Sequence, residues 1–212
     1  METIKTTLSY LATSIDFEEP HLRTALTFVA FNPIFWNTVA RLEYNTHFLT
    51  KLCGSAKNGC YFLAAVIFLL GIGRDWAFSK ALEFQEVSPF MDEPLLVSLG
   101  YLCIAVGQIL VLSSMYQLGI TGTYLGDYFG ILMEQRVTAF PFNVSDNPMY
   151  QGSTLTFLGT TLIYRKPAGF VVTLLVQAMY AIALRFEEPF TARIYSADRK
   201  DQAEKRQKQK QY

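Results

Sequence analysis

Two clusters in this 212-residue chain carry residue types suited to holding a cation. Glu187 and Glu188, followed by Pro189-Phe190-Thr191, come where the last long apolar stretch ends. Adjacent carboxylates at the mouth of a membrane helix are costly there, and they suit a positively charged ligand held at the membrane surface. The plainer alternative is a pair in the headgroup layer that marks the helix end. The second cluster is Asp146-Asn147-Pro148-Met149-Tyr150, where Asn-Pro favours a turn before a new helix. One fold of the chain brings the clusters together. Within them, Asp146, Tyr150 and Glu188 are candidates for handling a proton, with Asp127 beside them. Tyr124, Tyr128 and Tyr150 could hold an ammonium through cation–π contact, with a plain interfacial role as the alternative for each.

The elements that must position these residues are apolar. Hydrophobic residues make up 51% of the chain and the formal net charge is +0, so no basic surface points to nucleic acid. No charge occurs between Pro94 and Gly126, a stretch long enough to cross a bilayer. Five apolar segments are read: Arg23–Leu42, Gly59–Gly73, Leu95–Leu118, Ser153–Tyr164 and Ala168–Leu184. They predict an all-α, polytopic integral membrane bundle of four to five apolar segments. A soluble helical protein is the alternative, and too many runs exceed the length of ordinary core helices to favour it. Asn32-Pro33 should kink the first segment, turn it back or lay it in the interface. Gly59–Gly73 is short for a straight span, and Gly119–Gly130 reads as an interfacial loop or half-helix. Arg165-Lys166-Pro167 between the last two segments predicts a C-terminal helical hairpin. Its open ends carry Asp146–Tyr150 and Glu187-Glu188 to one membrane face.

Charge asymmetry sets the expected orientation. Arg74–Pro94 reads as an acidic loop, whereas Arg41–Lys57 and the tail through Lys210 are basic. The positive-inside rule places the basic pieces, including the C-terminus, in the cytosol. The Arg165-Lys166 apex runs against this, and four crossings with one span after Tyr150 is the alternative. No cleavable signal peptide is read in Met1–Pro20. Three cysteines and two histidines offer neither a disulfide framework nor a metal centre.

Several long blocks resemble the phosphatidylethanolamine/phospholipid N-methyltransferase family of the endoplasmic reticulum, its fungal methylene-fatty-acyl-phospholipid synthase branch above all. They are Phe31–Arg41, Val111–Ser114, Gly122–Leu132, Arg136–Thr138, Phe140–Asn143, Asp146–Ser153 and Glu187–Ala192. The resemblance implies a methyltransferase domain over residues 1–195, with 196–212 as a basic cytosolic tail. It implies S-adenosylmethionine as methyl donor, no metal, and a membrane phospholipid as acceptor. Donor binding would fall to a Gly-x-Gly motif, here Ala105-Val106-Gly107, and to Glu187 and Glu188. For Gly107 alone, helix packing is the commoner role. Asn147-Pro148-x-Tyr150 also looks like a cofactor-pocket turn of isoprenylcysteine methyltransferases, which makes carboxyl methylation of a lipidated cysteine one rival. A non-catalytic bundle or cation transporter is the other. The implied location is the endoplasmic reticulum membrane, with mitochondrial membranes as a further association. Lys208 and Lys210 near the terminus are similar to a dilysine retrieval signal. Oligomeric state is left open.

Overall fold

The computed structural model describes residues 14–135 and 137–209, with side-chain detail through Ala197. Arg136 and the last part of the retrieval-like sequence lie outside the described residues, as do residues 1–13. Among the described residues there are six α-helices, two short 3-10 turns and no strand.

Helix α1 (Pro20–Thr46) begins at a proline whose missing N–H costs nothing in the first turn. The Glu19 carboxylate accepts from the Leu22 amide at 2.6 Å and caps it. The helix runs on through Pro33, so the expected interruption at Asn32-Pro33 does not divide it. Its buried positions Leu22, Ala25, Val29, Asn32, Trp36, Ala40 and Glu43 recur at three- and four-residue spacing. Part of that inward stripe is therefore polar. Asn32 donates to the Leu70 carbonyl at 3.2 Å. The fully buried Glu43 accepts from the Leu49 amide at 2.6 Å and the Thr50 amide at 3.2 Å. It thereby anchors the free N–H groups that open the short helix α2 (Phe48–Cys53).

Helix α3 (Ala56–Phe84) follows a Ser55 cap and is far longer than the uncharged core read from sequence. Arg74–Phe84, expected in an acidic loop, is its last part. Only residues 85–93 form the connection, which includes a 3-10 turn at Pro89–Met91. Helix α4 (Pro94–Thr123) carries a break at Gly119, whose φ of 62° suits glycine. A second 3-10 turn covers Gly126–Phe129. Helices α5 (Pro148–Tyr164) and α6 (Ala168–Gln209) form the expected hairpin, with Arg165 left-handed at the apex. Helix α6 passes through Pro189 without ending.

Among the described residues, three helices are long and apolar enough to cross a membrane: α3, α4 and the Ala168–Ala197 part of α6. The other two segments fall short for physical reasons. Helix α5 has 17 residues, about 25 Å of rise. Helix α1 commits Asn32, Asn37, Arg41 and Glu43 to contacts inside the protein.

Helices α4 and α5 cross at glycines. A Cβ on Gly107 would lie 2.5 Å from the Gly152 carbonyl oxygen, and one on Gly159 would lie 2.5 Å from that of Gly100. At one end of the bundle the hairpin apex is tied to the 85–93 connection. Ser88 donates to the Arg165 carbonyl at 3.0 Å, Arg165 pairs with Asp92, and Lys166 donates to the Gln85 carbonyl. The two basic apex residues thus share an end with the acidic connection and engage it. At the opposite end lie α2, the Gly126–Phe129 turn, the start of α5 and the Glu187–Tyr195 part of α6.

Candidate active site

Glu187 is the hub of that second end. It stands on α6, and its Oε1 accepts from Trp36 Nε1 and Asn37 Nδ2, each at 2.8 Å, from α1. Its Oε2 accepts from the Tyr150 hydroxyl at 2.7 Å, from the first turn of α5. Three helices therefore meet on one half-buried carboxylate. The neighbouring Glu188 is exposed and accepts from Asn147 Nδ2 at 3.2 Å. Residues 41 apart in sequence are joined here, because the hairpin returns α6 to the start of α5. Consecutive helical residues point about 100° apart, so only one glutamate faces inward.

Inward lies a cavity of about 650 Å³. Asp127, Asp146, Asn147, Pro148, Tyr150 and Glu187 all line it, as does Tyr124. Asp127 accepts from the Thr191 hydroxyl at 2.9 Å and from the Tyr128 amide at 3.2 Å. It lies near enough to Glu187 for the two charges to interact. Asp146 stands at the exposed rim. Tyr128 does not line the cavity, since its buried ring stacks on Phe190 at 5.0 Å between centroids. Tyr150 stacks on Tyr180 at 4.5 Å, which fixes the ring whose hydroxyl serves Glu187.

Ala105-Val106-Gly107 is not brought onto the cavity wall. Ala105 and Val106 are exposed on the outer side of α4, and Gly107 is buried against Gly152 and Thr156. The cavity wall takes Gln108, Val111, Leu112 and Met115 from α4 instead. Phe68 and Ile72 of α3 and Leu112 of α4 line the cavity while more than half exposed, so it opens sideways between these two helices.

Sequence reading missed Trp36 and Asn37, although both stand inside a block that resembles the family. It also missed Arg74 and Tyr180. Arg74 donates to the Tyr180 hydroxyl at 2.7 Å, and that oxygen lies 3.0 Å from Ser153 Oγ. An arginine directly after an uncharged run was available as a signal, but it looked like the start of a loop. Among the described residues no cluster of metal-ligating side chains occurs.

Removing single donors to Glu187 should weaken the site in steps. Tyr150→Phe keeps the stack on Tyr180 and deletes one hydrogen bond to a charged group, which costs about 1.5–3 kcal/mol. Affinity for a cationic ligand should fall about tenfold, with the fold retained and the melting temperature lowered by several degrees. Trp36→Phe should do the same, since a ring remains in the core. Calorimetric titration beside a melting curve checks both.

A membrane-embedded helical bundle with a carboxylate-lined, laterally open cavity defines a class of enzymes that act on lipid-borne substrates. The chain belongs to the phospholipid methyltransferase family, whose profile matches residues 95–198. It is 55% identical to the phosphatidyl-N-methylethanolamine N-methyltransferase of Saccharomyces cerevisiae, over 96% of this chain and 98% of that protein. It is 50% identical to phosphatidylethanolamine N-methyltransferase A of Dictyostelium discoideum, over 93% of each. With the phosphatidylethanolamine N-methyltransferase of Homo sapiens it shares 46% identity over 85% of this chain and 91% of that one. No solved structure matches it.

Proposed function

We propose that the chain methylates the amine of phosphatidyl-N-methylethanolamine and phosphatidyl-N,N-dimethylethanolamine, giving phosphatidylcholine, with weaker action on phosphatidylethanolamine. The observation that carries this reading is Glu187, held by donors from two other helices at the wall of a cavity open to the bilayer. Two carboxylates facing one half-buried cavity repel each other, and a cation between them relieves the repulsion. That fits S-adenosylmethionine, which supplies an electrophilic methyl on a positive sulfonium and carries an α-ammonium as well. A volume of about 650 Å³ also suits a ligand of this size.

Each residue then has a task. Glu187 binds the donor's ammonium or ribose hydroxyls, with Trp36, Asn37 and Tyr150 fixing its orientation. Asn147 and Pro148 form the turn that sets Tyr150 against Glu187. Glu188, on the outer side, positions Asn147. The acceptor amine must lose a proton before it attacks. Asp127 is the best-placed base, because it faces the cavity and Thr191 fixes its rotamer. Asp146 at the rim can pass that proton to solvent, and Tyr150 can pass one only through Glu187. The remainder of catalysis is in-line alignment and exclusion of water by the apolar walls.

Residues 1–195 would form the methyltransferase domain and 196–212 a basic tail. A cytosolic site and C-terminus are supported by the basic Arg41–Lys57 and tail segments, and the endoplasmic reticulum membrane is what the family resemblance implies. The Arg165-Lys166 apex runs against this orientation, although in the folded chain Arg165 pairs with Asp92 and Lys166 donates to the Gln85 carbonyl.

Purified protein in lipid–detergent micelles should move label from S-adenosylmethionine into phosphatidyl-N-methylethanolamine. Donor binding without labelled lipid would turn attention to another acceptor, a prenylated cysteine carboxylate first. Neither binding nor transfer would leave a non-catalytic bundle.

A further inference from the structure

Arg74 is a charged residue of the cavity wall that cation binding does not use. It stands on α3 directly after the uncharged stretch 58–73, with its side chain 14% exposed. A charge at such a place in a membrane helix is expensive and calls for a function. Its setting is built. Nε donates to Asp75 Oδ1 at 2.9 Å, Nη2 lies 2.8 Å from the same oxygen, and Nη1 donates to Tyr180 at 2.7 Å. The Phe157 ring lies under the guanidinium at 4.9 Å. A guanidinium has five N–H donors. Three are committed here, which leaves one on each terminal nitrogen, the fork that matches an oxyanion.

We infer that Arg74 seats the phosphate of the acceptor phospholipid, a deepening that rests on the proposed methyl transfer. Ile67, Gly71 and Arg74 follow one face of α3 and all line the cavity. The same helix contributes Phe68 and Ile72 to the sideways opening, so a lipid whose chains rest between α3 and α4 has its phosphate beside Arg74. Tyr180, which holds Arg74, precedes Glu187 by seven residues on α6, about 10 Å of helical rise. The anion seat and the cation seat therefore stand apart along one cavity, with the stacked Tyr150 and Tyr180 rings between them. An ethanolamine arm reaching from Arg74 points its amine toward Asp127 and Glu187. The donor's carboxylate is the other oxyanion that Arg74 could take, and the acceptor is favoured because Arg74 shares its wall with the lateral opening.

The test separates acceptor from donor with Arg74→Gln in micelles. The KM for phosphatidyl-N-methylethanolamine should rise about 30-fold, with the Kd for S-adenosylmethionine within about twofold. Arg74→Lys should recover part of the loss. A long-chain N-methylamine without phosphate should be a poor acceptor for the wild type, and Arg74→Gln should worsen it no further. If Arg74→Gln does not fold, Tyr180→Phe, which releases Nη1, should raise the acceptor KM several-fold on its own. A fall in donor affinity with the acceptor KM unchanged would reassign Arg74 to the donor's carboxylate. Equal losses on both acceptors would reduce it to a structural role. A wild type that transfers no methyl to the phospholipid would overturn the underlying reading, and this inference with it.

Discussion

Glu187→Gln should lower methyl transfer by about 10²–10³-fold while the protein stays folded. The substitution keeps the shape of the side chain, and a glutamine oxygen can still accept from Trp36 Nε1 and Asn37 Nδ2. Its amide would face Tyr150, whose hydroxyl can turn from donor to acceptor. What disappears is the negative charge, and with it the attraction for a sulfonium and an ammonium in a water-poor cavity. The loss should appear mainly as weaker binding of S-adenosylmethionine, read by calorimetric titration, with a further decline in the rate at saturation as alignment loosens. Glu188→Gln is the internal comparison. That residue is exposed and accepts from Asn147 at 3.2 Å, so about a fivefold loss is expected. Equal collapse in both variants would mean that Glu188 also reaches the ligand, contrary to the geometry seen here.

The contrast between the glutamates marks how far the sequence could be read. The hairpin was legible because Arg165-Lys166-Pro167 interrupts an apolar run, and a hairpin forces its open ends together. Thus the clusters Asp146–Tyr150 and Glu187-Glu188 were expected side by side from the chain alone, and the Tyr150–Glu187 bond joins them. Which glutamate points inward was not legible, because that depends on the rotation of α6 about its axis. Trp36 and Asn37 were hidden for a related reason. They reach Glu187 from α1, and nothing in the pattern fixed the face that α1 presents to α6. Arg74 was misread because charges follow it at Asp75, Lys80 and Glu83, which looked like the start of a solvent-facing loop. In the folded chain those residues continue α3, with Lys80 paired to Glu83 at 2.7 Å on its surface. Hydropathy alone does not separate a short packed helix such as α5, with 17 residues, from one that crosses a bilayer, so the number of spans was not fixed by the sequence.

Gly152→Val should remove most of the folded protein, a loss of at least about 3 kcal/mol. A Cβ there would sit 2.5 Å from the Gly107 carbonyl oxygen and 2.9 Å from Leu110 Cβ. The first of these is backbone, so α4 and α5 must separate, and their contact orients the start of α5 that carries Tyr150. Gly107→Ala meets the reciprocal obstacle, 2.5 Å from the Gly152 oxygen and 2.8 Å from Thr156 Oγ1. It therefore decides between two roles for the Gly-x-Gly position. If Gly107 serves helix approach, Gly107→Ala lowers the melting temperature in micelles, and donor affinity falls only as the folded fraction falls. Ala105→Gly, on the outer side of α4, then leaves donor affinity within about twofold. If the motif instead contacts S-adenosylmethionine, Gly107→Ala would melt like the parent yet bind the donor poorly, and Ala105→Gly would bind it more tightly. The first pattern is expected, because the three atoms nearest a new Cβ at Gly107 all belong to Gly152 and Thr156 of α5. The carboxylate end of the site would then hold the donor without help from this stretch of α4, which acts by bringing α5 close enough for Tyr150 to reach Glu187.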